Sequence, residues 1–150
     1  MPGQGSHAKI LLVEDNPADS RLFQEALKAT ASPHAMSVAR DGSEALRMLG
    51  RGQGSSTVPL PDLILLDLNL PGMSGWKLLN VIKEDSELRK IPVVILTSSH
   101  SPDDILNAYS SHANSYLCKP VRLAEMFDLV AEIQRYWFQV ASLPPRSQAG

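Results

Sequence analysis

One cysteine in 150 residues, Cys118, leaves no partner for an intramolecular disulfide. No apolar run approaches the ~20 residues that span a bilayer, and Met1-Pro2-Gly3-Gln4-Gly5-Ser6-His7 lacks the apolar stretch of a secretory signal. The net charge of -2, without any basic cluster, argues against a surface that follows nucleic-acid phosphates. These absences lead us to expect a cytoplasmic protein that touches neither membrane nor DNA directly. His7, His34, His100 and His112 share no helix-face spacing that would hold a metal. What the chain does have is 43% hydrophobic residues, enough for one core, in a length too short for two ordinary domains.

Apolar runs without alternation recur at Ile10 to Val13, Leu63 to Leu66 and Val93 to Leu96. Strands of that kind are buried on both faces of a parallel sheet. A weaker strand is predicted over His34 to Ala39, and another at Tyr116-Leu117-Cys118. Between the strands lie helical patterns. Asn16-Pro17 reads as an N-cap followed by proline at the first helical position, with Leu22, Phe23, Ala26 and Leu27 spaced behind it. Further helices are predicted around Ala45, Leu46 and Leu49, from Trp76 to Asp85 with apolar Leu78, Leu79 and Ile82, from Asp103 to His112 with apolar Ile105, Leu106 and Tyr109, and from about Arg122. The last carries a stripe through Leu123, Met126, Val130, Ile133 and Trp137, widened by Phe127, Ala131 and Phe138. Strict alternation of strand and helix argues for an α/β domain, a doubly wound five-stranded parallel sheet. We expect residues 1–8 to be disordered, 9–138 to form the domain with a flexible internal loop over 50–60, and 139–150 to be a C-terminal extension.

The strands end in reactive groups. Lys9-Ile10-Leu11-Leu12-Val13 runs into Glu14-Asp15, the second apolar run into Asp67, the third into Thr97, and the last strand into Lys119. Ligands bind at the carboxyl edge of such sheets, so an acid pair, an acid, a hydroxyl and an amine there describe one site. Three converging carboxylates repel one another unless a cation neutralises them. Mg²⁺ takes one or two carboxylates together with water and phosphate oxygens. A carboxylate beside that ion can attack phosphorus as a nucleophile, with Lys119 and Thr97 placed to meet the phosphoryl oxygens.

These residues make the chain resemble the receiver domain of bacterial two-component response regulators, from Lys9 to about Trp137, with the flavodoxin-like, CheY-like (βα)5 fold. The resemblance rests on Glu14-Asp15, on Asp67 with Pro71 and Gly75 behind it, on Thr97, and on Tyr116-x-x-Lys119-Pro120. It implies that Asp67 accepts a phosphoryl group from a histidine kinase. It also implies that Asp15, Asp67 and the backbone carbonyl of Asn69 hold Mg²⁺ with Glu14 acting through water, and that Lys119-Pro120 is a cis peptide. Thr97, Tyr116 and Pro120 match the switch. There the hydroxyl swings toward the phosphoryl group and the ring turns inward, biased by the about -1.5 to -2 charges that phosphorylation adds. The implied output surface is the fourth helix, fifth strand and fifth helix. Ser98 stands where the family often has alanine or glycine, and Asn69 and Ser99 flank the site where dephosphorylation is tuned.

A narrower resemblance is to small stand-alone regulators that serve bacterial phytochrome kinases. It is carried by Val13-Glu14-Asp15-Asn16-Pro17-Ala18-Asp19, Asp67-Leu68-Asn69-Leu70-Pro71, Ser115-Tyr116-Leu117-Cys118-Lys119-Pro120 and the closing Tyr136-Trp137-Phe138 through Leu143-Pro144. It implies a homodimer through the last helix and its extension, with a downstream protein as target. Three adjacent aromatics cannot all face inward on one helix, which leaves at least one for a partner. Two rivals remain. Haloacid-dehalogenase-type phosphatases also use an aspartate nucleophile, but there it comes first in the chain and is followed two residues later by a second Asp, where this chain has Asn69. The other rival is an interaction module that works without phosphorylation. The expectation is therefore a signalling module, not an enzyme.

Overall fold

The computed structural model describes residues 8–30, 34–52 and 59–145, and everything stated below concerns these residues. Five strands, β1 (Ala8–Val13), β2 (His34–Ala39), β3 (Leu63–Leu66), β4 (Val93–Thr97) and β5 (Ser115–Cys118), form one sheet in the order β2-β1-β3-β4-β5. Every pairing is parallel. The helices are α1 (Pro17–Lys28), α2 (Gly42–Met48), α3 (Gly75–Glu84), α4 (Pro102–Ser110) and α5 (Leu123–Arg135), with a short 3₁₀ turn at Leu88–Lys90. The α/β alternation read from the sequence is the architecture found. β1 begins at Ala8, the last residue of the segment expected to be disordered; the expectation for residues 1–7 lies outside the described residues.

The strands that lack alternation are buried on both faces, as a parallel sheet sandwiched between helices requires. Side chains sort by parity into two layers. Leu11, Val13, Ile64, Leu66, Val93 and Ile95 pack with Leu78, Leu79 and Ile82 of α3 and with Ala108 of α4. On the opposite face Ile10, Leu12, Leu63, Leu65, Val94 and Leu96 pack with Phe23, Ala26 and Leu27 of α1 and with Met126, Val130 and Ile133 of α5. Helix starts follow their local chemistry: Asn16 Oδ1 accepts from Ala18 N and Asp19 N, and Pro17 opens α1. Ser74 and Ser101 cap α3 and α4 in the same way.

Three local expectations change. In α4 the apolar residues Leu106 and Tyr109 are 66% and 50% exposed, and Ala108 makes the core contact. A stripe at helical spacing marks one face without saying whether sheet or solvent lies beneath it. In α5, Leu123 and Ala131 are exposed, and the α-helix ends at Arg135 in a wider π turn, Tyr136–Val140, closed by Ala141 N donating to Tyr136 O at 2.7 Å. Trp137 and Phe138 pack on the α1/α5 layer from that turn, while Tyr136 stays 48% exposed, edge-on to Trp137 with ring centroids 5.1 Å apart. Finally, the stretch after α2, expected to be a flexible connection, starts anchored. Arg51 pairs with Asp85 at 2.8 Å and with Glu87 at 2.9 Å, tying the end of α2 to the turn beyond α3; residues 53–58 lie outside the described set.

Candidate functional site

The order of the strands places the site. β1 is flanked by β2 on one side and β3 on the other, so the winding reverses between β1 and β3 and opens a crevice at their carboxyl ends. The register aligns Val13 with Leu66, Leu66 with Ile95, and Thr97 with Cys118, so the residues just beyond emerge side by side. Ladder-like bonds continue past the strands: Asp67 N donates to Val13 O at 3.1 Å, and Lys119 N donates to Thr97 O at 2.8 Å.

Carboxylate oxygens of Glu14, Asp15 and Asp67 lie within 4.8 Å of one another. Glu14 and Asp67 are buried and Asp15 is exposed. Asp67 is held by an Asx-type turn, its Oδ1 accepting from Asn69 N at 3.0 Å, which keeps the Asn69 backbone beside the carboxylate. Burial pushes the Glu14 carboxyl up to about 7; the Lys119 ammonium works against that rise, and the Asp67 charge adds to it. Three carboxylates with oxygens this close have one lysine beside them, and the two it bonds, Glu14 and Asp67, are buried away from bulk water. Such a set of oxygen donors fits a hard divalent cation.

Lys119 Nζ donates to Glu14 Oε1 at 2.6 Å, Asp67 Oδ2 at 2.9 Å and Asp19 Oδ2 at 3.0 Å. Burial works to lower its pKa, but the hydrogen bonds it donates to Glu14 and Asp67, with their charges, outweigh that and hold the ammonium above its ordinary range. The expected cis peptide is not found: Lys119-Pro120, like every described peptide bond, is trans. A trans X-Pro bond is the lower-energy form, and from it the lysine already reaches all three acids. Asp19 is the site residue that sequence reasoning passed over. It stood in the motif without a role, because an acid in the first turn of a helix is ordinary.

Thr97 is fully buried at the end of β4 and accepts from Ser99 N at 3.4 Å. Ser99 then gathers the surrounding groups. Its carbonyl accepts from the Tyr116 hydroxyl at 3.0 Å and from Cys118 Sγ at 3.4 Å, and its own hydroxyl donates to Asp104 Oδ2 in α4 at 2.6 Å. Cys118 is accordingly half-buried at a sheet edge with a hydrogen-bonded thiol, not a core residue. Pro120 is half-buried and the next residue, Val121, is 99% exposed.

A doubly wound parallel sheet carrying a buried acid, an acid pair, a hydroxyl and a lysine at the reversal of winding defines a phosphoryl-accepting signalling module. Residues 10–131 match the response regulator receiver domain, and the chain belongs to that family. It is 44% identical over 135 residues to the response regulator Rcp1 of Synechocystis sp., covering 90% of this chain and 92% of that one. Among solved structures it is similar to the phosphorylated cyanobacterial phytochrome response regulator RcpA, with 45% identity and a TM-score of 0.87 over 93% of this chain and all, 100%, of the other. The Mn²⁺-bound form of Rcp1 superposes with a TM-score of 0.85 at 44% identity, over 92% of this chain and 99% of that one. Members of the family are phosphorylated on an aspartate, pair with histidine kinases, bind a divalent metal at an acidic site, and are generally signalling modules without enzymatic turnover. No helix among the described residues is long and apolar enough to cross a membrane.

Proposed function

We propose that this chain is a phytochrome-linked regulator that takes a phosphoryl group from a histidine kinase onto Asp67 and thereby changes the α4–β5–α5 surface it offers to a partner. The observation that carries the reading is the meeting of Glu14, Asp15 and Asp67 within 4.8 Å, with the Lys119 ammonium 2.9 Å from Asp67. In this reading Asp15, Asp67 and the Asn69 carbonyl would hold Mg²⁺, with Glu14 acting through water, and the ion when bound would supply positive charge to the phosphoryl oxygens. Asp67 forms the new P–O bond while the P–N bond to the donor histidine breaks, its electron pair staying on the imidazole nitrogen. Lys119 keeps its protons and turns them from Asp67 to a phosphoryl oxygen, a charge-assisted hydrogen bond.

Thr97 then leaves Ser99 N for the phosphate. Loss of that bond loosens the loop whose Ser99 carbonyl holds Tyr116 and whose Ser99 hydroxyl holds Asp104 of α4. The exposed Leu106, Tyr109 and Leu123 lie on the helices of the surface that responds, where exposed apolar side chains suit a partner contact. The exposed Tyr136 and Val140 of the closing turn support a homodimer through the last helix and its extension.

The test is incubation with acetyl phosphate in Mg²⁺ buffer, followed by intact-mass measurement. One added phosphoryl group, absent in Asp67→Asn of unchanged circular dichroism, is the expected result. A natively folded wild type of unaltered mass refutes the reading. Phosphotransfer from a panel of sensor kinases, phytochromes included, tests the choice of donor.

A further inference from the structure

We propose that Asp19 is a positioning residue for phosphoryl transfer: it holds the Lys119 ammonium in place from α1 while the other two acids on that lysine are committed elsewhere. This rests on the reading of Asp67 as phosphoacceptor and assigns a part to a residue outside it.

Lys119 has three N–H bonds, and three carboxylates take them, at 2.6 Å (Glu14), 2.9 Å (Asp67) and 3.0 Å (Asp19). The three acids differ in what else they must do. Glu14 and Asp67 belong to the group of oxygens close enough to share a metal ion; Asp19 does not. A cation bound there, and a phosphoryl group on Asp67, withdraw electron density and geometry from two of the three bonds that locate the ammonium. The bond to Asp19 is untouched by either event. It leaves two N–H bonds to face the incoming phosphoryl oxygens, with the third as a fixed pivot.

Asp19 is itself well placed for this. Its backbone N–H is pinned by Asn16 Oδ1 at 3.2 Å, inside the capped first turn of α1, and Phe23, Ala26 and Leu27 anchor that helix in the core. The lysine side chain is only 9% exposed, so few water molecules compete for its donors, whereas Asp19 is 32% exposed and reaches in from the rim. A donor fixed before charge develops on the phosphoryl oxygens stabilises the transition state without reorganisation. Such a residue acts on the limiting rate, because the bond it steadies counts most once charge develops on the phosphoryl oxygens.

The experiment measures labelling of the full chain by acetyl phosphate, in saturating Mg²⁺, for wild type, Asp19→Asn and Asp19→Glu, with donor concentration varied and thermal melts run alongside. Asp19→Asn is expected to lower the limiting rate about fivefold, the size of one charge-assisted hydrogen bond weakened at a partly exposed position. Its donor KM is expected to stay within about twofold and its melting temperature to hold, with Asp19→Glu recovering most of the rate. An unchanged limiting rate, a change confined to KM, a rate loss matched by a fall in melting temperature, or a Glu variant as slow as Asn each overturns the assignment. A wild type that takes no label removes the reading of Asp67 itself, a failure visible before any variant is compared.

Discussion

Replacing Gly75 by alanine sets helix propensity against packing, and the two give opposite signs. Gly75 is the first residue of α3, where alanine is the better helix former by up to about 1 kcal/mol. Propensity alone therefore makes the variant more stable. The structure puts backbone where the new methyl group would go: a Cβ at Gly75 would lie 2.5 Å from Asp67 O, 2.5 Å from Leu68 Cα and 2.9 Å from Leu68 O. None of these is a flexible side-chain end. Relief requires that either the turn carrying Asp67 or the whole of α3 move. Sliding α3 outward uncovers Leu78, Leu79 and Ile82, all fully buried, each of which is worth about 1.5–3 kcal/mol when buried. Moving the turn strains the Gly75 N to Leu68 O bond of 3.1 Å and displaces Asp67. Overpacking typically costs about 1–3 kcal/mol and a strained hydrogen bond about 1 more, so a net loss of about 1–3 kcal/mol remains after the propensity gain. Urea denaturation measures it directly, and Mg²⁺ titration followed by fluorescence of the adjacent Trp76 reports whether the site moved with it. A variant as stable as wild type, with unaltered metal affinity, would show that the close approach has no energetic weight and that this account of the glycine is wrong.

Two further outcomes are expected. Asp85 is held well below the usual carboxylate range, chiefly by the Arg51 guanidinium and then by the N–H of Leu88. Because the folded-state pKa is the lower one, its stabilisation is present above the unfolded-state value of about 4 and is lost as pH falls below it. Asp85→Asn, which keeps the acceptor but not the charge, should cost about 1 kcal/mol at pH 7 and progressively less below pH 4, read by denaturation at both pH values; a pH-independent cost would contradict the ion pair. Tyr136→Glu places a charge on the exposed ring position of the closing turn. It should lower dimer content in analytical ultracentrifugation with little change in melting temperature, and an unaltered sedimentation profile would put any dimer contact elsewhere.

Much of the fold was open to reading because the runs Ile10 to Val13, Leu63 to Leu66 and Val93 to Leu96 are apolar at every position, a pattern that a sheet covered on both faces explains. The site followed from the same pattern, since Glu14, Asp67 and Thr97 are simply the residues at which those runs stop. Asp19 gave no such signal: its contact is with a residue 100 positions away, and locally it is one more acid at a helix start. α4 misled for a related reason. Its periodicity is real, yet Ala108 is enough to fill the space above the sheet, and the larger Leu106 and Tyr109 are left facing water. Arg51 sits between two glycines, a context that reads as slack chain, and only the distant Asp85 and Glu87 give it a fixed place. The trans bond at Lys119-Pro120 could not be read from the residues, since either isomer is open to an X-Pro pair.

The sorting of side chains by parity into two apolar layers has a consequence for how such a chain changes over generations. No core side chain belongs to both layers; the strand backbones form a partition between them. Drift on the α1/α5 side therefore leaves packing on the α3/α4 side undisturbed. One face of the molecule is free to acquire new acquaintances while the other keeps its old ones, and the acidic crevice at the strand tips is ground that both share.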